Sequence, residues 1–272
     1  MTTDPMNKKV TVITLREMKT RGEKIVALTC YDAPMARLLN RAGVDVVLVG
    51  DSVANVKLGY ENTLPVTLEE MLHHVRAAKR GNSRALLVAD MPFLTYEFDP
   101  VSAVRSVGRL VKEGGAEAVK VEGGQEILSS IRALIRAKIP VMGHVGLTPQ
   151  AVHAMGGYRV QGRDAVGARK IKAQAKLLEK AGVFALVLEG VPSALARQVT
   201  RSLSIPTIGI GAGLDCDGQI LVLDDMLGLG EGPAPRFVKR YAHLGHEAAR
   251  AVTRYRDEVR RGTFPGPEQA YD

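Results

Sequence analysis

The sequence predicts an α/β fold, a (β/α)8 TIM barrel, on three observations. From residue 24 onward, short β-branched apolar runs alternate with helical patterns, as parallel strands joined by helices do. There are eight such runs, and a chain of 272 residues suits a barrel of about 250. A weak internal repeat supports the same architecture: AGVDVVLVGD from Ala42, GGAEAVKVEG from Gly114 and KAGVFALVLEG from Lys180 each pass from a helix-ending glycine through a strand toward an acidic residue.

In chain order, Thr14 and Glu17 have the spacing of a capping box, which places an extra N-terminal helix over the barrel's bottom or against a neighbouring subunit. The strands are KIVALTC (24–30), VDVVLVG (44–50), ALLVAD (85–90), EAVKVEG (117–123), PVMGHVG (140–146), FALVLEG (184–190), PTIGIG (206–211) and QILVLDD (219–225). Their nearly continuous apolar character suits strands covered on both faces. Thr67 and Glu70 form a capping box ahead of the apolar stripe Leu68, Met71, Leu72 and Val75. Asp99 followed by Pro100 supplies an N-cap and a first-turn proline, and Asp164 caps a long helix that ends before Gly182. No linker rich in Pro, Gly or Ser divides residues 24–225. The chain therefore reads as a single domain over 1–272, with a barrel core at about 24–225, a C-terminal helical extension at about 237–261 and a loose tail at 262–272.

Hydrophobic residues at 46% and charged residues at 24% exclude a disordered chain. No run approaches the roughly 18 apolar residues of a membrane span, so no membrane partner is expected. The start, MTTDPMNKKV, lacks the apolar core of a secretory signal, so a cytoplasmic protein is expected. Cys30 and Cys216 have no metal-spaced partners and read as buried small apolar residues. A net charge of +8 suits anionic ligands or nucleic acid, but the basic C-terminal segment reads as a solvated face, so no nucleic acid is expected.

In such a barrel the C-terminal strand ends form the mouth where chemistry is done. Polar residues cluster there: Asp51 and Ser52 after the second strand, Asp90 ending the third, Lys120 and Glu122 in the fourth, His144 in the fifth and Glu189 in the sixth. Strand alternation puts Lys120 and Glu122 on one face and Val119 and Val121 on the other, so the charged pair points into the barrel. Taken singly, Asp51 or Asp90 also suits a loop cap, Lys120 with Glu122 a buried ion pair, His144 a supporting histidine and Glu189 a solvent-facing strand end. Their shared rim speaks for a site. Carboxylates without His pairs or Cys suit a hard divalent cation, and a site that leaves positions open suits Mg2+. The adjacent His73 and His74 point about 100 degrees apart on a helix and make no ligand pair. GIGAG (209–213) reads as a tight rim turn rather than a dinucleotide fingerprint.

The segments LTCYD (28–32), GDS (50–52), ADMPF (89–93), VKVEGG (119–124), GHVGLTPQ (143–150), LVLEGVP (186–192) and IGIGAG (208–213) resemble the ketopantoate hydroxymethyltransferase family in order and spacing over about residues 10–261. The resemblance implies a Mg2+-binding (β/α)8 barrel, assembled as a homodecamer, that transfers a one-carbon unit from the co-substrate 5,10-methylenetetrahydrofolate to the 2-oxo acid α-ketoisovalerate in pantothenate biosynthesis. By position, Asp51 and Asp90 resemble the family's metal-binding aspartates, which also bind substrate, and Glu122 the acidic residue associated with the metal. Ser52 and Lys120 resemble substrate contacts, Glu189 the proton acceptor, and His144 a supporting residue. Gly190 stands where a side chain is expected. The competing reading is a Mg2+-dependent 2-oxo acid lyase or mutase of the phosphoenolpyruvate and isocitrate lyase type.

Overall fold

Eight parallel strands close into a barrel in the computed structural model, which describes residues 8–230, 232 and 234–271. Residues 1–7, on which most of the N-terminal signal reading rests, and Asp272 at the end of the tail lie outside the described residues. The strands are β1 (Ile25–Thr29), β2 (Val46–Val49), β3 (Leu86–Asp90), β4 (Ala118–Glu122), β5 (Val141–Gly146), β6 (Ala185–Glu189), β7 (Thr207–Ile210) and β8 (Gly218–Leu221). Each pairs with the next, and β8 returns to β1 with Gly218 beside Ile25. That closure requires glycine: a Cβ at Gly218 would stand 2.5 Å from the Ile25 carbonyl oxygen.

Helices α2 (Ala33–Arg41), α3 (Leu68–Gly81), α4 (Pro100–Lys112), α5 (Leu128–Arg136), α6 (Ala165–Ala181) and α7 (Ser193–Ser202) follow β1 to β6 in turn. Their starts follow local chemistry. Asp32 accepts from the Met35 amide ahead of α2, Thr67 and Glu70 form the expected reciprocal box ahead of α3, Asp99 accepts from Val101 and Ser102 ahead of α4, and Asp164 accepts from Gly167 ahead of α6. Helix α6 ends at Gly182 in a left-handed cap, as the sequence implies. No helix separates β7 from β8, and the GIGAG segment turns between them with Gly211 and Gly213 at positive φ.

Three boundaries differ from the sequence reading, one of them at the C-terminal helix, which spans Leu244–Arg260 and so begins later than the expected 237. Helix α1 (Val12–Arg21) starts ahead of Thr14, and its box is made by Thr11 and Thr14 instead of Thr14 and Glu17. The preceding Val10 amide is held by the Arg84 carbonyl at 2.9 Å, which fixes where the chain turns into the helix. The final strand stops at Leu221, because Asp224 and Asp225 enter the first turn of a short helix, α8 (Leu223–Leu227), where carboxylates are favoured by the helix dipole.

Val10, with Leu15 and Met18 of α1, joins Ile25, Leu86 and Phe184 in a buried cluster at the strands' N-terminal ends. Helix α1 therefore plugs the barrel's bottom, the first of the two alternatives that the sequence left open. Both cysteines are buried and free. By compactness the chain divides at Val222 into the barrel and a second unit from Leu223 onward, which carries α8 and α9 (Leu244–Arg260). Among the described residues, no helix is long and apolar enough to cross a membrane.

Candidate active site

The strand register assembles the site. Asp90 lies beside Lys120 across β3 and β4, Glu122 beside His144 across β4 and β5, and Gly146 beside Glu189 across β5 and β6. Ala118, two residues before Lys120, belongs to the core inside the barrel, so by alternation Lys120 and Glu122 also face inward. The sequence-predicted residues Asp51, Asp90, Lys120, Glu122 and His144 are all buried, while the Glu189 side chain keeps 14% exposure.

They form a continuous polar chain. Lys120 Nζ lies 2.8 Å from Asp90 Oδ1 and 3.0 Å from Glu122 Oε1. His144 Nδ1 is 3.1 Å from the same Glu122 oxygen, and His144 Nε2 is 3.4 Å from Glu189 Oε2. The Asp51 amide donates to Asp90 Oδ2 at 3.2 Å, and Ser52 Oγ shares a 2.8 Å hydrogen bond with the Tyr31 hydroxyl. Because Glu122 is held ionised it only accepts, so the His144 proton sits on Nδ1 and the Nε2 lone pair faces Glu189.

Burial and neighbouring charge set the protonation states. Burial pulls against the Lys120 ammonium, but Asp90, Glu122 and Asp51 outweigh it and raise its pKa. Burial likewise pushes Glu122 up, yet Lys120 and His144 bring it down to about 2. Asp51 and Asp90 are both raised, chiefly by burial; the Glu122 charge adds to this at Asp51, and at Asp90 burial outweighs the opposing Lys120. His144 is lowered by burial against the pull of Glu122 and therefore stays neutral. Glu189 is pushed up to about 8 by burial and then by the Glu122 charge.

Asp51, Asp90 and Glu122 each offer a carboxylate oxygen within 4.8 Å of the others, all buried. Fully ionised, the three carboxylates exceed the single positive charge of Lys120 by two, which matches a divalent cation, and a cation bound there would offset the burial that raises Asp51 and Asp90. Asp90 Oδ1 is buried and accepts no well-directed hydrogen bond, although it is ion-paired with Lys120. Oxygen donors of this kind, short of positive charge, fit a hard cation such as Mg2+.

The structure adds residues that the sequence reading did not single out. Gln150, buried in the turn after β5, donates from Nε2 to Asp51 Oδ2 at 3.1 Å and to the Met91 carbonyl at 2.9 Å, and its amide donates to Glu122 Oε2. Tyr96, buried in the loop after β3, donates to Gln150 Oε1 at 2.8 Å and accepts from the Glu122 amide. Gln150 closes the GHVGLTPQ segment and Tyr31 lies in LTCYD, so both stood inside recognised motifs; Tyr96 carried no signal. Gly190 has φ +55, and a Cβ there would stand 3.1 Å from Leu147 Cβ, which accounts for glycine after Glu189 in this chain.

A model of the ketopantoate hydroxymethyltransferase family matches residues 9–267. The 3-methyl-2-oxobutanoate hydroxymethyltransferase of Syntrophotalea carbinolica is 54% identical over 98% of this chain and 100% of its own length. That of Geotalea daltonii is 55% identical over 96% of this chain and 97% of its own. Among solved structures, the chain is similar to 2,3-dimethylmalate lyase, a PEP mutase/isocitrate lyase superfamily member, with TM-score 0.61 and 17% identity over 97% of this chain and 89% of that one. It is also similar to phosphonopyruvate hydrolase, with TM-score 0.61 and 15% identity over 96% of this chain and 93% of that one. At these identities the solved structures speak to the fold alone.

Proposed function

The chain belongs to the ketopantoate hydroxymethyltransferase family, and from that we propose that it transfers a one-carbon unit from 5,10-methylenetetrahydrofolate to 3-methyl-2-oxobutanoate, giving ketopantoate and tetrahydrofolate in the formation of pantothenate, the coenzyme A precursor. The observation that carries the reading is the placement of Glu189: a carboxylate at the barrel mouth, 3.4 Å from His144 Nε2 and outside the Asp51, Asp90 and Glu122 group, where burial pushes its pKa up to about 8. That basicity suits the removal of a proton from carbon next to a carbonyl.

Asp51, Asp90 and Glu122 are the residues that would hold Mg2+. Bound there, the ion would supply Lewis acidity toward the 2-oxo acid and so make its C3 hydrogen more acidic. Asp51, Ser52 and Asp90 line the substrate position, and the Lys120 ammonium offsets negative charge as it builds on the keto oxygen. Glu189 takes the C3 proton. The His144 Nε2 lone pair then accepts a hydrogen bond from the protonated carboxyl, while Glu122 fixes the ring through Nδ1. The C3 carbanion equivalent forms a carbon–carbon bond to the folate-borne methylene; both carbon–nitrogen bonds of that methylene break, water supplies the product's hydroxyl oxygen, and the two folate nitrogens take up the C3 proton and one proton of that water.

The lyase and mutase reading uses the same enolate logic, but the two solved examples named above share the fold at 15% and 17% identity, whereas the two hydroxymethyltransferase relatives named there are 54% and 55% identical. By family likeness the protein works in the cytoplasm as a homodecamer, which light scattering tests. The decisive experiment is proton NMR of 3-methyl-2-oxobutanoate in D2O with protein and Mg2+, followed by addition of methylenetetrahydrofolate. Loss of the C3 proton signal with wild type but not with Glu189→Gln or under chelation, then ketopantoate formation, is the expected result. Wild type that yields neither exchange nor product overturns the proposal.

A further inference from the structure

Gln150 stands beside the cluster, and its carboxamide has one chemically allowed orientation. Both hydrogens of Nε2 are directed to acceptors, Asp51 Oδ2 at 3.1 Å and the Met91 carbonyl at 2.9 Å, and Oε1 receives the Tyr96 hydroxyl at 2.8 Å. Flipping the amide would turn Oε1 onto a carboxylate and a carbonyl, so Asp51 and Met91 fix the orientation, and the Tyr96 hydroxyl, which also reaches the Glu122 carbonyl at 3.2 Å, supports it from the other side. Tyr96 is itself held by the Glu122 amide, which donates to its hydroxyl at 3.1 Å. Tyr96, Gln150 and the Asp51 side chain are all buried, so no water competes for these bonds.

We propose that Gln150, supported by Tyr96, is a positioning residue that biases Asp51 toward binding through one oxygen and thereby tunes the cation preference of the barrel mouth toward small ions. This rests on the reading of Asp51, Asp90 and Glu122 as a divalent-cation site. With one lone pair of Oδ2 taken by Gln150, Asp51 is biased toward binding a cation through a single oxygen. Mg2+ demands compact octahedral coordination and keeps waters, so one oxygen from each carboxylate suits it. Ca2+ takes more oxygens and accepts carboxylates in bidentate fashion, which the Gln150 bond opposes. The Gln150 backbone acts in the same direction on Glu122, where its amide donates to Oε2 at 3.1 Å while Oε1 faces Lys120 and His144. One residue thus restrains an oxygen on two of the three carboxylates.

The test is calorimetric titration of the full chain with Mg2+ alone and with Ca2+ alone, for wild type, Gln150→Leu and Tyr96→Phe, with cation-free thermal melts as the folding control. Wild type is expected to prefer Mg2+. In Gln150→Leu, Mg2+ affinity should fall about 10–100-fold, the range for loss of a residue that orients a ligand, while Ca2+ affinity falls less, so the preference moves about tenfold toward Ca2+. Tyr96→Phe should move it in the same direction by a smaller factor, and it decides the matter if Gln150→Leu does not fold. A merely structural role would weaken both ions in proportion, and an unchanged Mg2+ to Ca2+ ratio in the folded variants overturns the proposal. Wild type that binds neither ion overturns instead the cation-site reading beneath it.

Discussion

Replacing Glu189 with Gln separates what this side chain does for chemistry from what it does to stability. Folding moves its carboxyl from an ordinary 4.5 to about 8, chiefly by burial and then by the Glu122 charge. At about 1.4 kcal/mol for each tenfold change in acidity, keeping Glu189 ionised in the folded chain costs on the order of 4–5 kcal/mol. A carboxyl whose pKa is raised by folding binds its proton more tightly in the native state. Its contribution to stability is therefore fully present below 4.5 and is lost as pH rises through about 8. Gln has nearly the same shape and no charge to desolvate. In cation-free buffer the wild type should lose stability between pH 5 and 9 that Glu189→Gln retains, and with relaxation of the mouth allowed for, the variant should end about 2–4 kcal/mol ahead. For a barrel of this size that is roughly 5–10 °C in Tm. Thermal melts followed by circular dichroism at intervals across that range measure it, with C3 proton exchange run on the same samples. Parallel melting curves for the two proteins, or a variant less stable at high pH, would refute the assignment of Glu189 as a desolvated base; exchange that persists in the variant would refute its role.

Lys120→Met should destabilise the cation-free protein by about 3–5 kcal/mol, because it leaves Asp90 and Glu122 buried without their counter-charge. Excess Mg2+ should restore part of that loss, and melts with and without the ion measure both effects. Gly218→Ala should cost about 3 kcal/mol or prevent folding, since its Cβ would meet the Ile25 backbone where the barrel closes; a urea midpoint unchanged from wild type would show that the β1–β8 seam yields. Thr67→Ala, which removes one half of the α3 capping box, should lower stability by about 1 kcal/mol in the same denaturation assay and leave proton exchange untouched.

Much of the site was legible because it depends on strand periodicity. Lys120 and Glu122 stand two apart in an otherwise apolar run, so a buried strand of period two forces both into the barrel. His144 and Glu189 sit at comparable positions in their own runs, and register alone brings them together. Gln150 and Tyr96 gave no such signal. Both are uncharged residues in connecting segments, where no periodicity fixes direction, and their burial comes from the folding of two loops over the mouth. The same division explains the boundaries. Thr14 and Glu17 have a valid capping spacing, but the Val10–Arg84 hydrogen bond, a contact between distant parts of the chain, decides where the helix begins. LVLDD continues an apolar run into acidic residues, and local sequence favours either a strand end or a helix start; the structure takes the helix.

Strands β3 to β6 each carry two duties, an apolar one toward the floor and a polar one toward the mouth. On β4, Ala118 packs in the apolar cluster that α1 closes from below, while Glu122 stands in the charged mouth, about 13 Å further along at the rise of an extended chain. A reserve of stability built from Leu15, Met18 and Ile25 thus lies beyond the reach of changes made at Asp51 or Glu189. Effects of substitutions so far apart should add independently. A new specificity can therefore be selected at the upper rim while compensating changes accumulate in the floor.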